Sequence, residues 1–235
     1  MSRIVAIDTS TEACSAALLL DGIVTSCGEV APQAHTRKIL PMCHELLTKA
    51  GLTLADLDAL AFGRGPGSFT GVRIGIGVAQ GLALGASLPL IGISNLATLA
   101  QGTHRRDGAQ SVFCAIDARM NEVYFAAFAL RDGIMQPLCE EGVMSPEEAC
   151  AQALALMNGA PAPWFVAGTG FTAYAELFGP LLASTTQASD TLPWAQDMLA
   201  LAQVALINGE TCDAAQASPV YLRDKVTWKK LPGRE

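Results

Sequence analysis

The chain has 235 residues, 51% of them hydrophobic and 16% charged. That length suits one large domain or two small ones, and the apolar fraction supports a sizeable core, which excludes a disordered chain. With 15 Lys and Arg against 22 Asp and Glu, the formal charge is −7 and the pI near 4.9, which argues against a primary nucleic-acid binder.

The N-terminal run meets an acid, Asp8, too early for a secretory signal. The 7 cysteines show no C-x-x-C pairing, which predicts free thiols in a reducing cytoplasm. His35, His44 and His104 have no ligand-like spacing, so no protein-made metal site is expected. Arg3–Asp8 reads as a buried first strand ending on an acid, and Thr9–Glu12 as a polar turn. Ala13–Leu20 and Ile23–Glu29 read as strands joined by an Asp21-Gly22 hairpin. Thr36 is placed as the cap of a helix whose apolar positions Ile39, Leu40, Cys43, Leu46, Leu47 and Ala50 keep helical spacing, with Gly51 ending it.

The most unusual stretch is Gly63-Arg64-Gly65-Pro66-Gly67-Ser68-Phe69-Thr70-Gly71-Val72-Arg73. It follows a short apolar strand, Ala59–Phe62, and opens a helix from Thr70 to about Gly85. A glycine turn running into a helix N-terminus can hold a phosphate or a partner's carboxylate; it can equally be a tight turn capping a packed helix. No G-x-x-x-x-G-K-[ST] is present, and Gly75–Gly81 falls inside the helix, where a dinucleotide fingerprint does not belong. The uncharged run Ile74–Thr103 is read as buried structure and not as a membrane span, because its glycines and Pro89 interrupt it. Leu90–Ile93 is a strand, and Ser94 caps a helix to about Gln101. The polar stretch Gly102–Gly108 is read as a domain boundary, giving lobes 1–103 and 104–235.

The chain then starts again. Ala6-Ile7-Asp8, turn, strand and Asp21-Gly22-Ile23 recur as Ala115-Ile116-Asp117, turn, strand and Asp132-Gly133-Ile134, which predicts a duplicated α/β unit. Ser145-Pro146-Glu147-Glu148 is a strong helix start. Trp164–Ala167 is a strand, Gly168-Thr169-Gly170 a second glycine turn, and a short helix is expected to hold Tyr174 and Phe178. Trp194–Asn208 is an amphipathic helix expected to pack back on the first lobe. The tail carries Tyr221, Trp228 and the basic pair Lys229-Lys230, read as a solvated terminus.

A duplicated βββαβα unit with an acid ending its first strand resembles the actin–hexokinase–Hsp70 superfamily. Gly65–Gly75, Ile7–Glu12, Ala115–Tyr124 and Pro219–Arg223 together resemble the TsaB (YeaZ) family of bacterial threonylcarbamoyladenosine synthesis. The resemblance implies a two-lobed α/β fold in the cytoplasm, TsaD as partner, and TsaE and TsaC as functional partners. The TsaD family carries N-H-L-E-G-H after the equivalent strand, with two metal-ligand histidines. Here Ser94–Leu99 stands in that place, with Asn95 and Leu99 where the histidines would be. Leucine cannot ligate a metal and asparagine is a poor ligand, so no metal, no cofactor and no catalytic residue are expected.

The leading reading is therefore a non-catalytic subunit serving threonylcarbamoyl transfer to the adenosine 3′ of the anticodon, touching tRNA only through the complex. An ATP-dependent phosphotransferase is the alternative, with Asp8, Ser10 and Asp117 as candidate cofactor-binding residues. A peptidase is the least favoured, since neither G-x-S-x-G nor H-E-x-x-H occurs. Gly77, Gly81 and Gly85 lie along one helical stripe. Either intrachain packing or an intermolecular face explains them. The second would pair them with Ile39, Cys43, Leu46 and Leu47, in a homodimer of the chain alone and a heterodimer with TsaD.

Overall fold

The structure, a computed structural model, describes residues 2–157 and 163–223. Trp228 and the Lys229-Lys230 pair lie outside the described residues.

Strands β1 (Ile4–Asp8), β2 (Ala13–Leu20) and β3 (Ile23–Val30) form an antiparallel meander. Helix α1 (His35–Ala50) and a 3-10 turn at Leu54–Asp56 lead to β4 (Ala59–Gly63), which pairs in parallel with β1. Helix α2 (Phe69–Ala86) carries the chain to β5 (Leu90–Ile93), parallel to β4, and α3 (Asn95–Asp107) closes the unit. The resulting five-stranded sheet has the order β3-β2-β1-β4-β5.

The second lobe repeats this plan. Its strands are β6 (Ser111–Arg119), β7 (Glu122–Arg131) and β8 (Ile134–Pro137), with β9 (Gly142–Met144) also pairing with β7. Then come α4 (Pro146–Met157), β10 (Trp164–Ala167), α5 (Thr169–Ala173), α6 (Gly179–Leu182), β11 (Thr186–Gln187) and α7 (Ala195–Ile207). Taken as β8-β7-β6-β10-β11, the second sheet matches the first strand for strand. The two hairpin turns match in backbone as well. Asp21 and Gly22 sit at φ 51° and 82°, and Asp132 and Gly133 at 51° and 80°. Positive φ at both central residues is the twist a two-residue hairpin needs, and Asp-Gly supplies it at small steric cost.

The closing helices are exchanged between the lobes. Leu96, Leu99 and Ala100 of α3 pack with Val112, Cys114 and Phe128 of the second sheet. Met198, Leu199 and Ala202 of α7 pack with Ile4, Ala6 and Ile93 of the first. Where the two helices meet, Asp197 is buried and takes Arg105 at 2.5 Å and Arg106 at 3.0 Å. Helices α1 and α2 cover the opposite face of the first sheet, over Val5, Ile7, Leu60 and Phe62.

Several expectations need correction. Helix α1 begins at His35, and Ala34, without a side-chain bond, takes the cap position expected of Thr36. Helix α3 runs on past the expected Gln101 through residues 102–107, the polar stretch read as a domain boundary, and is closed by Gly108 at φ 70°. Its charge serves the buried Asp197. Tyr174 and Phe178 lie in the turn between α5 and α6 and not in one helix. Ile39, Cys43, Leu46 and Leu47 are 0%, 3%, 6% and 7% exposed and belong to the core beneath α1. Helical spacing of apolar residues marks the face turned to the sheet, so these four cannot also form an outer surface. By length and composition α2 could cross a membrane, with a mean hydropathy of 1.2, but its Val72, Ile76, Ala79 and Ala83 lie in that same core.

Candidate functional site

Asp8 ends β1 fully inside the first lobe. Its Oδ1 accepts the backbone N–H of Ser10 and the Ser10 hydroxyl, each at 2.9 Å. Its Oδ2 accepts the side-chain amide of Asn95, whose own Oδ1 accepts the N–H of Gly65 at 2.8 Å. Burial pushes the Asp8 carboxyl up to about 6, against the opposing pull of the Ser10 and Asn95 hydrogen bonds. The structure brings two of the candidate cofactor-binding residues, Asp8 and Ser10, together, and each already has its partner inside the protein.

The glycine loop closes on this network. Ser68 donates its N–H to the Ser10 carbonyl at 2.7 Å, and the Thr9 hydroxyl donates to the Gly71 carbonyl at 2.7 Å. A Cβ on Gly63 would meet the Asp8 carboxylate and come within 2.7 Å of the Asn95 amide nitrogen. Glycine is required here for close approach of one loop to another. Ser68 caps α2 by accepting the Gly71 N–H at 3.4 Å. The loop packs the first-strand turn against the start of the helix.

Asp117 makes its contacts within the second lobe. Its Oδ1 accepts the Arg119 N–H at 2.9 Å and the Tyr174 hydroxyl at 3.2 Å, and its Oδ2 pairs with the Arg119 guanidinium at 3.0 Å. The Thr169 hydroxyl of the second glycine turn accepts the Asp117 N–H at 3.1 Å. A cavity of about 490 Å³ lies between β2–β3 and the meeting ends of α3 and α7, lined by Ser15, Gly28, Arg105, Arg106 and Trp194, with neither aspartate in its lining. Among the described residues no group of three or more His, Cys, Asp or Glu could hold a metal. Leu99, at the second family histidine position, is fully buried among Leu96, Val112 and Phe128.

The outer face of α2 is different. Gly77, Gly81 and Gly85 are exposed, and a Cβ built on any of them meets nothing within 4 Å. Intrachain packing therefore does not account for them. The same i, i+4 line runs back through Arg73 to Phe69, and Leu84 sits beside Gly85. Phe69 and Leu84 are 67% and 78% exposed. The Arg73 guanidinium lies 3.3 Å over the Phe69 ring and 5.0 Å from that of Tyr221. Leu40 is exposed on α1, which packs on the same side of the first sheet. Sequence reasoning found the glycines and missed Phe69, Arg73, Leu84 and Leu40. The four-residue spacing from Phe69 to Gly85 was the available signal for Phe69 and Arg73; Leu84 and Leu40 are off that line.

The family described as "TsaD: tRNA N6-adenosine threonylcarbamoyltransferase" matches residues 21–231. The Escherichia coli (strain K12) protein named tRNA threonylcarbamoyladenosine biosynthesis protein TsaB is 49% identical over 99% of this chain and 100% of its own length. The protein of that name from Haemophilus influenzae is also 49% identical, over 99% of this chain and 98% of its own. The solved structure "YeaZ from Pseudomonas aeruginosa" is 48% identical, with a TM-score of 0.85, covering 94% of this chain and 100% of that one. The chain belongs to the TsaB family, with the two-lobed actin-like fold, within the wider family matched by TsaD.

Proposed function

We propose that this chain is a non-catalytic partner subunit of TsaD in tRNA threonylcarbamoyladenosine biosynthesis. The observation that supports this most is the use made of Asn95 and Leu99. At the two positions where the resemblance puts TsaD's metal-ligand histidines, one side chain ties Asp8 to the glycine loop and the other fills the core. The chain thus keeps the fold of a transferase while spending the ligand positions on stability. Transfer of the threonylcarbamoyl group to the adenosine 3′ of the anticodon would occur on TsaD, in the cytoplasm, with TsaE and TsaC as further partners. The tRNA would meet this acidic chain only through the complex.

The surface offered to TsaD in this reading is the outer stripe of α2, Phe69, Arg73, Gly77, Gly81, Leu84 and Gly85, extended by Leu40 of α1. Missing Cβ atoms lower the ridge and let a partner helix approach, while Phe69 and Leu84 supply apolar anchors at its ends. A stable interface needs roughly 800 Å² per partner, more than one helix stripe provides, so both α1 and α2 would take part. Without TsaD the same face would pair two copies of the chain. The phosphotransferase alternative has less support, because Asp8, Ser10 and the glycine loop bond one another where a nucleotide phosphate would have to enter. Pull-down of TsaD by the purified chain tests the reading. Retention of TsaD by the wild type and its loss with Gly81→Leu is expected; no retention by the wild type would refute it.

A further inference from the structure

The described part of the segment after α7 runs over the first lobe and reaches the second at Arg223. Cys212 exchanges backbone hydrogen bonds with Leu90, each at 2.9 Å. The Gln80 side-chain amide of α2 donates to the Ala214 and Ala217 carbonyls at 2.9 and 3.0 Å. Val220 then donates its N–H to the Arg64 carbonyl of the glycine loop at 2.9 Å. Tyr221 lies beside Phe69, ring centroids 6.3 Å apart, and beside Arg73. Two residues later Arg223 reaches the β6–β7 turn of the other lobe. Its Nη2 donates to the Ala118 and Arg119 carbonyls at 3.2 and 3.4 Å and pairs with the Glu122 carboxylate.

The turn it grips is unusual. Arg119, Met120 and Asn121 sit consecutively at φ 62°, 57° and 60°. Left-handed backbone is unfavourable for residues with a Cβ, and three in a row need outside support. A guanidinium can supply that support: Nη2 meets two carbonyls and a carboxylate of the turn while Nη1 lies 3.6 Å from the Met120 sulfur. Tyr221 on the exposed α2 cluster and Arg223 on the supported turn are separated by one residue. A shift of either must be felt by the other.

We propose that Ser218–Arg223 is an interlobe latch that couples the outer face of α2 to the β6–β7 turn of the second lobe. Ordering of Phe69, Arg73 and Tyr221 favours the Arg223 grip on the turn, and the grip in return favours that cluster, as any coupling must be mutual. The link to TsaD rests on the reading of α2 as the partner face; the latch itself does not.

Amide hydrogen exchange on the full chain tests it. Tyr221→Ala is expected to speed exchange of the Arg119 and Glu122 N–H groups in the other lobe by about fivefold or more, and Arg223→Ala to do the same at Val220. Arg223→Lys keeps a charge for Glu122 but loses the second nitrogen that lies against Met120, so its effect should fall between. Exchange faster only beside each substituted residue would overturn the proposal. A second arm measures TsaD affinity, expected to fall by about fivefold in Arg223→Ala although that side chain lies off the α2 stripe. Wild-type binding with an unchanged Arg223→Ala affinity would overturn the link between the latch and TsaD, and the exchange results would decide the latch itself. Failure of the wild type to bind TsaD would instead refute the subunit reading, and the exchange results would decide the latch.

Discussion

Asn95 donates its side-chain amide to the buried carboxylate of Asp8 and accepts the N–H of Gly65, tying β1, the glycine loop and α3 through one residue. Removing it leaves one oxygen of the buried Asp8 carboxylate and the Gly65 N–H without their partners. Asn95→Ala should cost about 1–3 kcal/mol of unfolding free energy, read from urea titration. A cost near zero would show that the network does not hold the loop.

Asp8 also gives the protein a pH signature. Its folded carboxyl is raised from 3.8 to about 6, so between those values the folded chain holds a proton that the unfolded chain has released. The Asp8 contribution to stability is fully present below about pH 4 and is lost as pH rises through about 6. Urea titrations of wild type and Asp8→Asn should therefore diverge across that window, the wild type losing stability relative to the variant as pH rises. Parallel curves would contradict the assignment.

Gly63 allows the close approach. Gly63→Ala places a methyl against the Asp8 carboxylate and Asn95, and should destabilise the fold by about 1–3 kcal/mol in thermal or urea unfolding. Gly81 is the opposite case. With open space around it, Gly81→Ala should stabilise the isolated chain by up to about 1 kcal/mol through helix propensity, while Gly81→Leu leaves folding intact and weakens association. Loss of folding in Gly81→Leu would contradict the open-face reading.

Asp197 holds the exchanged helices together. Its carboxylate is buried between Arg105 and Arg106, and Arg106 has little other compensation. Asp197→Ala should cost about 1–3 kcal/mol, because it leaves the largely buried Arg106 guanidinium without its acid while the half-exposed Arg105 can turn to solvent. A change below about 1 kcal/mol on chemical denaturation would contradict this.

Much of the fold was legible because it is local. The strands, the Asp-Gly hairpins and the repeat of Ala6–Asp8 as Ala115–Asp117 are written in periodicity and turn residues. What was not legible depends on tertiary packing. The periodicity of Ile39, Cys43, Leu46 and Leu47 reports a buried face, yet nothing local says whether a sheet or a partner covers it. The polarity of Arg105 and Arg106 reads as a domain boundary ending the helix until Asp197, distant in sequence, is seen beneath them. The glycine stripe was visible in sequence, but only the empty space above it separates an outer face from a packed one. The grip of Arg223 on the Arg119–Asn121 turn left no local pattern at all.

The central claim is that the chain supports transfer on TsaD and performs none itself. Reconstituted threonylcarbamoyl transfer to tRNA, with TsaC, TsaD and TsaE and with or without this chain, tests it most directly. The account predicts modification only when both TsaD and this chain are present, with Gly81→Leu impaired. Modification by this chain without TsaD, or undiminished modification when this chain is omitted, would contradict it.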